Sequence, residues 1–308
     1  MSEPAVEGGA EPLVDPHHHL WDPDAVPSPH RAREPRTYLL PDFLADAAGC
    51  GLVRSVHVQA EVERSASVAE TRWLQDIADR GGFPHGIVAY ANLAEAGVER
   101  VLEQHASCAN VRGIRQILNW DRDPARSQCE RPDYLTDPSW RAGYALLRRW
   151  DLSFDLQAYP WQMRDAAAVA AAHPDVPMIV NHTGMPRDRD AEGRRAWQGG
   201  MRALAERPNA FVKISGFGMF DPGWTDEGIR PFVLETIEMF GADRCMFASN
   251  FPVDRPFRPY AETFAAFRRL VADLTPTERR RLFHDNATRV YRLDAGETFP
   301  PIGRQSAL

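Results

Sequence analysis

The 308-residue chain predicts a single (β/α)8 TIM barrel, on three observations. Eight short apolar runs recur along it, at 13–20, 53–61, 86–93, 111–118, 153–159, 177–184, 210–217 and 244–252. Segments rich in Ala, Leu, Glu and Arg with helical period separate most of them, at 68–80, 98–106, 139–150, 165–173, 194–206, 228–240 and 260–273. No Gly-rich phosphate loop follows the first run, so a doubly wound open sheet lacks its usual support. Strand–helix alternation implies parallel pairing through right-handed crossovers, and eight such units over about 280 residues match the barrel.

The barrel is placed at 13–293, between an acidic N-terminal tail at 1–12 and a C-terminal tail at 294–308. With 44% hydrophobic and 26% charged residues, the chain holds ample material for one core. A net charge of −7 argues against nucleic acid or an acidic membrane surface as partner. Cys50, Cys108, Cys129 and Cys245 show no CxxC spacing, which speaks against a zinc ribbon or a disulfide framework and for reduced thiols in a cytoplasmic protein. The first eleven residues lack the basic and apolar regions of a signal peptide.

Taken in order, the strands end in polar groups. Alternation along the first run puts Asp15, His17 and His19 on one face and Val14, Pro16, His18 and Leu20 on the other. Two imidazoles two residues apart on one face can hold an ion between them. His18, on the opposite face, is expected to pack outside the pore. The second strand offers His57, Gln59 and Glu61; the fourth Gly113 and Arg115; the fifth Asp155, Gln157 and Tyr159. The sixth puts His182 in phase with Val180, the seventh gives Lys213 and Ser215, and the eighth ends near Asn250. A packed barrel core needs none of these groups, and burying them unpaired is costly. Arg115 and Lys213 either pair with Asp15, Glu61 or Asp155, or clamp a substrate carboxylate. The loops at 21–40 and 119–137 leave from the C-terminal ends of the first and fourth strands, where barrel active sites are built. Trp21 and Trp120 are expected to line or cap the pocket, and His30, His85, His105 and His173 to be surface residues.

These residues carry a resemblance. D-x-H-x-H-x-W at 15–21, V-R-G-I-R at 111–115, N-H-T-G-M-P at 181–186, K-I-S-G at 213–216 and M-F-A-S-N-F-P-V-D at 246–254 resemble the amidohydrolase-related family of TIM-barrel hydrolases. Within it, the chain is most similar to the branch that contains sugar-acid lactonases and 2-pyrone-4,6-dicarboxylate lactonase. The resemblance implies that His17, His19 and His182 bind one divalent ion, zinc before manganese, or polarise a substrate carbonyl directly without metal. It implies that Arg115 and Lys213 hold an acid group. The superfamily's strand-five histidine and strand-eight aspartate stand here as Gln157 and Asn250, which speaks against a binuclear centre. An amide cannot take a proton at neutral pH, so water would be deprotonated by Asp254, the available substitute, or by metal-bound activation alone.

The expected function is hydrolysis of a small, carboxylate-bearing lactone. His182, Asn250 and Asp254 form the catalytic group, and Gln59, Arg115, Gln157, Tyr159 and Lys213 contact the substrate. A metal-dependent decarboxylase of the same fold and a non-catalytic barrel that binds a small acid are the alternatives.

Overall fold

The computed structural model describes residues 11–29 and 36–293. The tail expected at 294–308, most of that expected at 1–12, and His30 lie outside the described residues. Eight parallel strands form one sheet in sequence order: β1 Leu13–His18, β2 Leu52–Val58, β3 Gly86–Tyr90, β4 Val111–Ile117, β5 Ser153–Gln157, β6 Met178–Val180, β7 Ala210–Ile214 and β8 Cys245–Phe247. A bridge between His18 and Phe251, with His19 N–H donating to the Phe251 carbonyl at 2.7 Å, draws the end of β8 onto β1. The barrel expected from the eight runs is the fold observed.

Helices cover the strands because their apolar stripes need a partner. They are α1 Leu40–Asp46, α2 Ser67–Gly81, α3 Val98–Ala106, α4 Pro138–Leu146, α5 Met163–Ala172, α6 Ala191–Ala205, α7 Asp226–Phe240 and α8 Tyr260–Leu270. Local chemistry sets several starts. Asp137 accepts from the N–H groups of Ser139 and Trp140 with Pro138 at the first helical position, and Thr225 accepts from Gly228 N–H. Of the histidines expected at the surface, His105 is instead buried between α2 and α3, bonded to Thr71 Oγ1 at 2.9 Å and to the Tyr90 carbonyl at 2.9 Å. An amphipathic helix end carries polar groups inward when a partner waits there.

The barrel interior is filled at its lower end by Val14, Val56, Val58, Val88, Ile179, Phe211 and Met246, closed by Val290, Tyr291 and Leu293 from the end of the described chain. Val14, Val56 and Val58 therefore face inward, and this corrects two expectations about parity. Asp15 pairs with Ser55 and His18 with His57, so three steps along β1 match two along β2. One extra residue at Pro16 and His17 inverts the alternation, as a bulge does. Asp15 consequently points out of the barrel, where Tyr260 Oη (3.1 Å) and Ser249 N–H (3.1 Å) donate to it. His57 faces outward too, beside His18, and its Nε2 lies 3.2 Å from the Leu20 carbonyl. His18 stacks on Phe43 of α1 at 3.9 Å, outside the pore as expected.

Candidate functional site

The C-terminal rim of the barrel is where the backbone is least relaxed. Of seven described non-glycine residues with positive φ, five follow strand ends: Glu61 (57°), His182 (53°), Thr183 (55°), Met185 (57°) and Asn250 (60°). Each such position costs about 1–3 kcal/mol, and strain of this kind collects at functional sites. At β6 it has a visible effect. Ile179 faces the pore, so simple alternation would turn His182 away; the left-handed turn brings its ring back to 4.6 Å from that of His17. Gly216 (φ +72°) makes room, since a Cβ there would sit 2.7 Å from His182 Nδ1.

Three imidazoles gather here. His17 and His19 lie 5.1 Å apart in a T-shaped arrangement, and all three rings are at most 4% exposed. His19 Nδ1 lies 2.7 Å from the Val58 carbonyl, to which it donates. His182 Nδ1 lies 3.1 Å from Ser215 Oγ. Burial and the neighbouring cations Lys213 and Arg115 hold His17 and His182 well below the usual imidazole range, so both are neutral.

Arg115, from β4, is buried and directed across the mouth. Its Nη1 donates to Gln157 Oε1 at 3.0 Å and its Nη2 to the Gln59 carbonyl at 2.6 Å. Gln157 in turn donates to Gln128 of the loop after β4 at 3.2 Å. Gln59 and Gln128 also line an open cleft of about 620 Å³ together with Glu61, Arg64, Tyr90 and Gln116, which abuts the buried cluster. Tyr159 donates its hydroxyl to the Arg126 carbonyl at 2.7 Å, so toward a ligand it can offer only an oxygen lone pair. Trp21 is 7% exposed and packs against Tyr38.

Lys213 lies deeper than a partner of Arg115 would. It is fully buried, with Nζ 2.5 Å from Asp155 Oδ1 and 3.5 Å from His17 Nδ1. The Asp155 carboxylate also accepts from Tyr291 Oη at 2.9 Å and Asn181 Nδ2 at 3.0 Å. Of the two readings of this lysine, the ion pair with Asp155 is the one observed. Tyr291 had no marker in the sequence pattern as a site residue, and Asn181, Ser215 and Gly216 stood only within the strand-end motifs, with no role assigned. Only the register of β5 to β7 and the return of the chain under the barrel assemble them.

Asn250 and Asp254 complete the rim. Asn250 N–H donates to the His17 carbonyl at 2.8 Å, and its Nδ2 donates to Asp254 Oδ1 at 3.2 Å. Asp254 is buried, which pushes its carboxyl up to about 7.

The donor set does not suit a divalent ion. Among the described residues, no group of three or more His, Cys, Asp or Glu side chains converges closely enough to hold one. His17 Nδ1 faces an ammonium group, the strand-five and strand-eight positions carry neutral amides, and Arg115 stands beside the imidazoles. A dication would meet two cations there, and uncharged groups at the strand-five and strand-eight positions. The expected His17, His19 and His182 ligand set is thus not assembled as one.

A parallel eight-stranded barrel with this polar cluster at its C-terminal mouth defines a TIM-barrel enzyme. The chain belongs to the amidohydrolase family, whose model matches residues 14–293. It is 43% identical to the uncharacterized protein y4mH of Sinorhizobium fredii over 91% of this chain and 98% of that one. It is 27% identical to an L-fucono-1,5-lactonase of Burkholderia ambifaria over 96% and 98% of the two chains. An amidohydrolase from Burkholderia multivorans, solved with zinc bound, shares the fold with a TM-score of 0.78 at 24% identity, over 92% of this chain and 100% of that one. Among the described residues, no helix is long and apolar enough to cross a membrane.

Proposed function

We propose that this amidohydrolase-family enzyme opens a small lactone that carries an acid group. The observation behind this reading is Asp254: a buried carboxyl on the rim segment after β8, bonded to Asn250, whose N–H donates to the His17 carbonyl, and poised to titrate near neutrality. In the proposed reaction, the Asp254 carboxylate takes a proton from water as the water oxygen attacks the ring carbonyl. Imidazole N–H groups of the cluster stabilise the tetrahedral oxyanion. Collapse breaks the ring C–O bond, and the leaving alkoxide recovers the proton, either from Asp254 or through His182. Lactone and water become a hydroxy acid, with no step routed through a metal.

Arg115 is the group proposed to hold the acid. Two of its acceptors are an amide and a peptide oxygen, and a carboxylate is a stronger partner for a guanidinium than either. Lys213, expected to share that clamp, is already neutralised by Asp155. The amides of Gln59 and Gln128, each donor and acceptor at once, suit hydroxyl substituents on the ring.

A panel of acid-bearing pyrones, sugar-acid 1,5-lactones and plain δ-valerolactone, followed by pH-stat, tests this. Proton release with an acid-bearing or sugar-acid lactone supports the reading. Carbon dioxide release from an aromatic acid, with every lactone intact, would replace hydrolysis by decarboxylation.

A further inference from the structure

Lys213 is the only lysine in the chain, and it lies inside the barrel. An ammonium group has donors and no acceptor. Asp155, 2.5 Å from Nζ, keeps the charge on the amine, while Tyr291 and Asn181 donate to the same carboxylate and so hold it as an acceptor. The next polar atom facing Nζ is His17 Nδ1, at 3.5 Å. That distance makes a weak hydrogen bond, but the electrostatics are one-sided. A lone pair on Nδ1 attracts the ammonium, whereas an N–H dipole would point its positive end at a buried cation. On the opposite side of the ring, His17 Nε2 is buried and has no hydrogen-bond partner among the described residues. A buried polar atom left unbonded costs about 1–3 kcal/mol, so this one is a place where an incoming group can be received.

We propose that Asp155 and Lys213 form a positioning relay that fixes His17 with Nδ1 bare and Nε2 protonated, so that His17 meets the substrate carbonyl as a hydrogen-bond donor and not a metal ion as a ligand. This rests on the lactone reading for the identity of the acceptor, but not for the tautomer itself. His19 carries the opposite form, because its Nδ1–H is committed to the Val58 carbonyl and the lone pair stands on Nε2. The two histidines of the H-x-H segment are therefore unlike: one gives a hydrogen bond, the other can accept one. Lys213 does not touch substrate in this arrangement and acts through His17. Tyr291, beneath the barrel floor, supports the relay at its far end.

Nitrogen NMR of the full-length protein with 15N-labelled histidine reads this directly, with the His17 signals assigned by their loss in His17→Gln. The wild type is expected to show a protonated Nε2 and an unprotonated Nδ1 at His17, undisturbed by one equivalent of zinc chloride. Lys213→Met is expected to give a mixture of His17 tautomers, while His19 keeps its own. Asp155→Asn/Lys213→Met, neutral at both positions, avoids stranding a buried carboxylate and should give the same mixture. On a lactone substrate, either variant should lower kcat about a hundredfold and change KM by less than about threefold. Lys213→Arg, which retains a cation, should restore part of the His17 signal and of kcat.

A wild-type His17 with Nδ1 protonated overturns the inference, as does zinc ligation through its Nε2. So does a Lys213→Met protein whose His17 signals and kcat match the wild type. If the single variants do not fold, the wild-type spectrum and the zinc titration still decide. Failure of every lactone to turn over would remove the functional reading and leave the tautomer result standing.

Discussion

Asp254→Asn should make the protein more stable above neutrality while removing most of its activity. The Asp254 carboxyl titrates at about 7 in the folded protein against 3.8 as the ordinary value, because burial penalises the charged form. Below pH 4 both folded and unfolded chains hold the proton, and the group contributes nothing to stability. Between pH 4 and 7 the unfolded chain has lost the proton and the folded one keeps it, so ionisation favours unfolding increasingly as pH rises. Above 7 the full penalty is present. At about 1.36 kcal/mol per pH unit it reaches roughly 4 kcal/mol. Asparagine is nearly isosteric, still accepts from Asn250 Nδ2, and does not titrate. Urea denaturation of both proteins at pH 4.5 and pH 8 measures the difference. The variant's advantage should be small at the lower pH and should grow toward about 4 kcal/mol at the higher one. Turnover should fall by about 10² to 10⁴, the usual range for loss of a general base. In the wild type, kcat/KM should rise with pH and level off above about 7. A stability difference that does not change with pH would refute the argument from burial, and activity within tenfold of wild type would remove Asp254 from the chemistry.

Arg115→Met should raise KM for an acid-bearing lactone about tenfold to a hundredfold and barely affect plain δ-valerolactone, since a charged hydrogen bond contributes about 1.5–3 kcal/mol; steady-state kinetics on both substrates checks it. Gly216→Ala forces a Cβ to 2.7 Å from His182 Nδ1 at a φ of +72°. It should lower the melting temperature and kcat together, while Gly49→Ala, with open space around it but also at positive φ, should show the backbone cost alone. Asn250→Asp places a second carboxyl about 3 Å from Asp254, and like charges that close resist joint ionisation. The rise of kcat/KM with pH should then move above 7, which a pH–rate profile reads.

The barrel was legible in the sequence because a strand buried on both faces needs an apolar run, and a helix that covers it needs a 3.6-residue stripe. Eight repetitions of that pair leave few alternatives, and Arg115, Gln157, Lys213 and Asn250 could be placed by counting alternate residues along four of the strands. Counting failed wherever the backbone departed from the pleat. One extra residue at Pro16 and His17 turned Asp15 out of the barrel, and His57, on the partner strand, faced outward with Ser55 and His18. A left-handed turn after Val180 brought His182 in. Alternation is a local rule with period two, and a single irregular residue reverses it without leaving a trace in composition. The state of the cations was also beyond the sequence. Lys213 could equally have reached up to a ligand or down to a carboxylate, and Asp155, Asn181 and Tyr291 decide it only when residues 26 to 136 positions apart meet under one ring of strands. Residue types and strand ends are properties of the chain; which buried charge neutralises which depends on distances of a few ångströms that only the closed barrel sets.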